Sequence, residues 1–239
     1  MKLILNHLPT ENGSLAVLQY EARRPRGLAL VVGHGYSSSK HNLDALAAFL
    51  AAHGCTIYSL DFPGHRLGAS GGKLRSIDDA CAAFSAAIAF ARAQGHERVL
   101  TLGHSMGAMC AIFAAAADPT LVGVVAIATG FGRPTALAAL QRAGATDFRS
   151  GYVDGISLPE LVDGVDVRYE HDLPLLAGRH ALYIAADRDA MVSQGSVREL
   201  YERAPDEKSY ATIESDHTDA GTRARSSVLD WLDERFERT

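Results

Sequence analysis

The sequence predicts an α/β fold, a mostly parallel central sheet with helices on both faces. A single domain of residues 1–239 carries it, with a small lid or cap insertion at 129–178. Three observations predict this. Short apolar runs alternate with longer helical patterns through most of the chain. The run Leu28–Val32 is continuously apolar, as in strands buried on both faces. Gly103-His104-Ser105-Met106-Gly107 marks an abrupt turn from strand to helix. At 239 residues the chain is long enough to bury one full core.

In chain order, Leu3–Leu8 and Leu15–Tyr20 read as a hairpin turning at Glu11-Asn12-Gly13, and Leu28–Val32 as the first interior strand. The loop Gly33–Lys40 leads to a helix from about His41 to Ala52, ended by Gly54 and followed by the strand Thr56–Leu60, a βαβ unit. A Gly-rich loop, Asp61–Arg75, precedes a helix over Ile77–Gln94 that Gly95 stops. The strand Val99–Leu102, a helix to Ala117 and the strand Val122–Ala128 follow. From Thr129 to Gly178 the pattern weakens, with short helical stretches at Ala136–Arg142 and Leu158–Val162. The core resumes with the strand Ala181–Ala185, a helix around Ser196–Ala204, the strand Ser209–Ile213 and a last helix from Ala220 to Arg238.

Composition narrows the function. With 47% hydrophobic and 21% charged residues and a formal net charge of −5, the chain offers no global attraction to nucleic-acid phosphates or anionic membranes. The apolar stretch at the N-terminus stops too soon for a signal peptide and no run is long enough to span a bilayer, so a cytoplasmic location is expected. Cys55, Cys81 and Cys110 lie in apolar or Ala-rich sequence without CxxC spacing and read as buried reduced thiols. A homodimer is left open. Gly33-His34-Gly35 after a strand faintly imitates a dinucleotide fingerprint, but Ser38 stands where the third glycine belongs. Neither H-E-x-x-H nor a dense His/Asp cluster points to a metal, so chemistry without cofactor or metal is expected.

Gly103–Gly107 fits the G-x-S-x-G nucleophile elbow, in which small residues two positions either side of a serine let a strand turn at once into a helix. The alternative is a Gly-rich turn whose serine only caps a helix. A nucleophilic Ser105 needs a base, and the base needs an anion that fixes its tautomer. Folds with such elbows present Ser, then Asp or Glu, then His, the last two following late strands. Here Asp187-Arg188-Asp189 follows one late strand and Ser215-Asp216-His217 the next. His217 is the expected base; on the residues alone, Asp187 and Asp189 compete as the acid.

With these features the chain resembles the α/β-hydrolases of the serine esterase and monoacylglycerol-lipase-like kind, over essentially everything outside Thr129–Gly178. The resemblance implies the following. The family's Gly-x-x-Asp-x-x-Val-like loop matches Asp189-Ala190-Met191-Val192, favouring Asp189 as acid and leaving Asp187 to support the loop. Its His-Gly-x oxyanion loop corresponds to His34-Gly35-Tyr36, so the backbone N–H groups of Tyr36 and Met106 should converge on a substrate oxyanion. Asp61-Phe62-Pro63-Gly64-His65 resembles its Asp-x-x-Gly-His-Gly loop, with Arg66 where glycine is usual; His34 and His65 are expected to brace loops. An elbow serine argues against the dehalogenase and epoxide-hydrolase branches. The implied reaction is hydrolysis of small carboxylic esters through an acyl-enzyme. The insertion mixes Phe131, Leu137, Leu140 and Phe148 with Arg133, Arg142 and Arg149, and is expected to cover a soluble ester rather than dock on lipid. A peptidase, with Asp154, Asp163 or Asp166 holding an amine, a lyase, an acyltransferase and a non-catalytic small-ligand-binding protein stay open.

Overall fold

In a computed structural model, which describes residues 1–142 and 148–237, the chain builds one eight-stranded sheet in the order β1-β2-β4-β3-β5-β6-β7-β8. The hairpin β1 (Lys2–Thr10) and β2 (Gly13–Glu21) forms one edge. β2 pairs antiparallel with β4 (Thr56–Leu60), and from there all pairings are parallel: β4 with β3 (Ala29–Gly33), then β5 (Val99–His104), β6 (Gly123–Ile127), β7 (His180–Ala186) and β8 (Lys208–Ile213). The interior strands β3, β4 and β6 are buried at every position, which is why their sequences run apolar instead of alternating.

Helices cover both faces. One face packs against α1 (Asp44–Ala52), α8 (Ala220–Arg223) and α9 (Arg225–Arg235) through Leu46, Leu50, Val228 and Leu232. The other packs against α2 (Ile77–Ala93), α3 (Met106–Ala117), α6 (Val165–Asp172) and α7 (Gln194–Arg203) through Phe84, Ile112, Tyr169 and Leu200. Burying each such large apolar side chain contributes about 1.5–3 kcal/mol. The expected last helix is two, meeting at Ala224, and its expected end at Arg238 lies outside the described residues.

The segment 129–178 holds more helix than its pattern suggests. α4 (Arg133–Arg142) and α5 (Leu158–Val162) match the two stretches read from sequence, the latter with a Ser157/Glu160 capping box. α6 was not expected there: its polar composition hides a narrow apolar seam, Val165 and Tyr169 at i and i+4, which faces the core beside α3. Leu137 is buried, whereas nothing is described of the Leu140 and Phe148 side chains. The loop after β4 ties to this segment by bridges from His65 to Val153 and from Leu74 to Gly155. Cys55 and Cys110 are buried as expected; Cys81, on α2, is only half-buried and packs against the core. Among the described residues, no helix is long and apolar enough to cross a membrane.

Candidate active site

β5 ends at His104 and α3 starts at Met106, so Ser105 makes the whole turn, at φ 55° and ψ −115°. Such a backbone is strained for a non-glycine residue and persists because its surroundings enforce it. They do so by contact. A Cβ on Gly103 would lie 2.1 Å from the carbonyl of Gly107, and one on Gly107 would lie 2.1 Å from the Gly33 oxygen. The start of α3 therefore presses directly on β5 and β3, and the Ser105 N–H donates to Ile127 O at 2.9 Å to anchor the elbow to β6.

The loops after β7 and β8 bring their side chains to this turn. His217 Nε2 lies 3.0 Å from Ser105 Oγ, and His217 Nδ1 lies 2.7 Å from Asp189 Oδ2. A carboxylate can only accept, so Nδ1 carries the hydrogen and Nε2 is left to accept from the serine hydroxyl. Asp189 Oδ1 accepts the N–H groups of Met191 at 2.7 Å and Val192 at 2.8 Å, which fixes the carboxylate. Burial pushes its pKa up, but His217 and these amides outweigh burial and hold it below the ordinary carboxylate range. Asp187 points elsewhere: its Oδ1 accepts the Ser215 N–H at 2.9 Å, bracing the loop that carries His217.

His104, the residue before the serine, was not singled out in the sequence. Its Nε2 donates to the His217 carbonyl at 2.8 Å, tying the histidine loop to the elbow. Burial, reinforced by His217, takes its pKa down to about 3, so it serves as a neutral donor.

Gly35 runs close beside the elbow: a Cβ on it would meet Ser105 Cβ at 3.4 Å. Tyr36 lines the cavity over Ser105 and turns its phenol to the segment above, donating to Ile156 O at 2.9 Å, while Met106 is buried as the first residue of α3. His34 is fully buried. Its Nε2 accepts the Phe62 N–H at 3.0 Å and its Nδ1 donates to Gly35 O at 2.8 Å, joining the loops after β3 and β4. Burial pulls its pKa far down, and that of His65, stacked edge-on to it, to about 4. Under the same loop Asp61 is buried against Lys40, Oδ2 to Nζ 2.5 Å, and also accepts the N–H groups of Lys40 and Ala69 at 2.8 Å. Arg66 fits where glycine was expected because its side chain is exposed and its N–H donates to Tyr152 O at 2.9 Å.

The cavity over Ser105 and His217 has a volume of about 160 Å³, walled by Tyr36, Leu43, Leu158, Met191, Arg133 and Arg149. That is smaller than the ~300–1,000 Å³ usual for drug-sized ligands and suits a small substrate. A larger hollow of about 290 Å³, between the β1–β2 turn and α2, shares no lining residue with it and contains no serine–histidine pair. Asp154, Asp163 and Asp166 do not line the cavity; Asp154 pairs with Lys73 at 3.4 Å and Asp166 accepts the Gly132 N–H at 3.1 Å. Among the described residues, no group of three or more His, Cys, Asp or Glu side chains could hold a metal ion.

Comparison with known proteins agrees with this architecture. The family model described as "Alpha/beta hydrolase family" matches residues 30–234. An esterase of Pyrococcus furiosus, Pf2001, superposes with a TM-score of 0.76 at 21% identity, covering 98% of this chain and 91% of its own. Est1E from Butyrivibrio proteoclasticus, solved with ferulic acid bound, superposes with a TM-score of 0.78 at 16% identity over 96% of this chain and 98% of its own. At these identities the likeness is one of fold. No curated protein matches the sequence.

Proposed function

The chain belongs to the alpha/beta hydrolase family, and from that premise we propose that it is a serine hydrolase of small carboxylic esters acting through an acyl-enzyme. The observation that carries this reading is the hydrogen-bonded chain Ser105–His217–Asp189, at 3.0 and 2.7 Å, beneath a small cavity. Ser105 Oγ attacks the ester carbonyl as His217 Nε2 takes its proton. His217 then protonates the departing alcohol, accepts a proton from the incoming water and returns Ser105 as the acid product leaves. Asp189 holds the ring in the productive tautomer and stabilises the imidazolium.

The N–H groups of Tyr36 and Met106 serve as donors to the tetrahedral oxyanion, the second aided by the N-terminal end of α3. The segment 129–178, carrying α4 and α5, acts as the cap, and two structural relatives at low identity are esterases, in keeping with an ester substrate. The test is hydrolysis of 4-nitrophenyl acetate and butyrate by the wild-type and Ser105→Ala proteins. Turnover by the first and a loss on the order of 10³-fold or more in the second supports the reading. Equal turnover by both ends it, and no turnover by either favours a small-ligand-binding protein that retains the constellation.

A further inference from the structure

The cavity wall carries a charge that ester hydrolysis alone does not call for. Arg133, the first residue of α4, is only 4% exposed. Its Nη1 donates to the Met191 carbonyl at 2.9 Å, and among the described residues it meets no carboxylate within ion-pair distance. Asp189 acts on it only through space, its oxygens being held by His217 and by the amides of Met191 and Val192. Arg149 lines the same cavity, touches Met191 at its sulfur, and its like positive charge repels that of Arg133. None of the described lining residues is Asp or Glu, although the protein as a whole is net negative. A buried guanidinium stays charged and is costly to bury without a counter-anion.

Resting on the serine-hydrolase reading, we propose that the substrate is an ester bearing an anionic group, a carboxylate or a phosphate, that binds against Arg133 with Arg149 as the second cation of the wall. A planar, rigid fork suits either anion in a bidentate pair and would orient the ester carbonyl over Ser105 while excluding neutral analogues. The size of the cavity, about 160 Å³, restricts the anion to a small molecule instead of a lipid surface or a nucleic acid.

The experiment compares kcat/KM for three aryl acetates differing only at the meta position: 3-carboxyphenyl, 3-phosphonophenyl and neutral 3-carbamoylphenyl acetate. The wild-type protein is expected to prefer one of the two anions by about tenfold or more over the carbamoyl ester, and which one it prefers names the group. Arg133→Gln should bring that ratio to about one, Arg133→Lys should keep part of it, and Arg149→Gln should lower it. Calorimetric titration of benzoate, benzamide and inorganic phosphate into the wild-type and Ser105→Ala proteins reads the anion site without catalysis. Hydrolysis of the carbamoyl ester with no preference for either anion overturns this inference and leaves the hydrolase reading standing. No hydrolysis of any ester, with anion binding that Arg133→Gln abolishes, removes the hydrolase reading and supports the anion site. Absence of both preference and binding in the wild-type protein overturns the inference outright.

Discussion

Three histidines with depressed pKa values, His34 and His65 buried and His104 partly so, should make the fold sensitive to mild acid. His34, His65 and His104 have folded-state pKa values of about 3, 4 and 3 against 6.5 when unfolded, chiefly because burial disfavours their charged forms. The unfolded chain therefore binds protons below pH 6.5 that the folded chain refuses. Stability is complete above 6.5 and falls as pH drops from there towards 4. Each histidine costs about 1.4 kcal/mol per pH unit, so at pH 5 the three together remove about 6 kcal/mol. That is comparable with the whole stability of a typical domain, about 5–15 kcal/mol. Urea unfolding at pH 7.5, 6.0 and 5.0 measures the loss, and its slope reports the protons taken up, approaching three. His104→Gln keeps a donor for the His217 carbonyl while removing one titrating group, and should cut that slope by about one third. Stability at pH 5.0 within about 1 kcal/mol of that at pH 7.5 would refute the reasoning, because these rings would then be protonated in the fold or accessible to water.

Other substitutions probe separate parts of the site. Asp189→Asn should lower kcat for a short-chain ester by about 10²–10⁴ with folding little changed, since the amide no longer holds His217 in the accepting tautomer. Asp187→Asn should cost about 1 kcal/mol in thermal or urea unfolding through the Ser215 N–H bond and leave kcat close to wild type; the reverse pattern would move the acid to Asp187. Lys40→Met leaves the fully buried Asp61 carboxylate without its cation and should destabilise the protein by about 3–5 kcal/mol in urea unfolding. A cost below about 1 kcal/mol would mean that the amides of Lys40 and Ala69 suffice for that charge.

Much of the sheet was legible because its information is local. Continuous apolar runs mark strands buried on both faces, and the two glycines of the elbow are required by backbone contacts that any Cβ would block. What depended on orientation was not legible from the residues alone, and only the family resemblance favoured Asp189. Asp187 and Asp189 are two residues apart in one loop, and only the turn made by the Met191 and Val192 amides aims the second at His217. His104 looked like the variable position of a motif; its bond to the His217 carbonyl spans 113 residues. α6 escaped notice because its buried face is one narrow stripe amid charges, and that Arg133 and Arg149 share one cavity wall follows from how their segment folds over Ser105, which no local pattern marks.

The central claim is that Ser105 is a nucleophile activated by His217, and covalent capture tests it most directly. A fluorophosphonate probe, followed by intact-mass and peptide mass spectrometry, should add one equivalent per chain, on Ser105. Labelling should be lost in His217→Ala, which leaves no base to take the serine proton. A protein left unmodified, modified at another residue, or labelled on Ser105 at the same rate after His217→Ala would contradict the account.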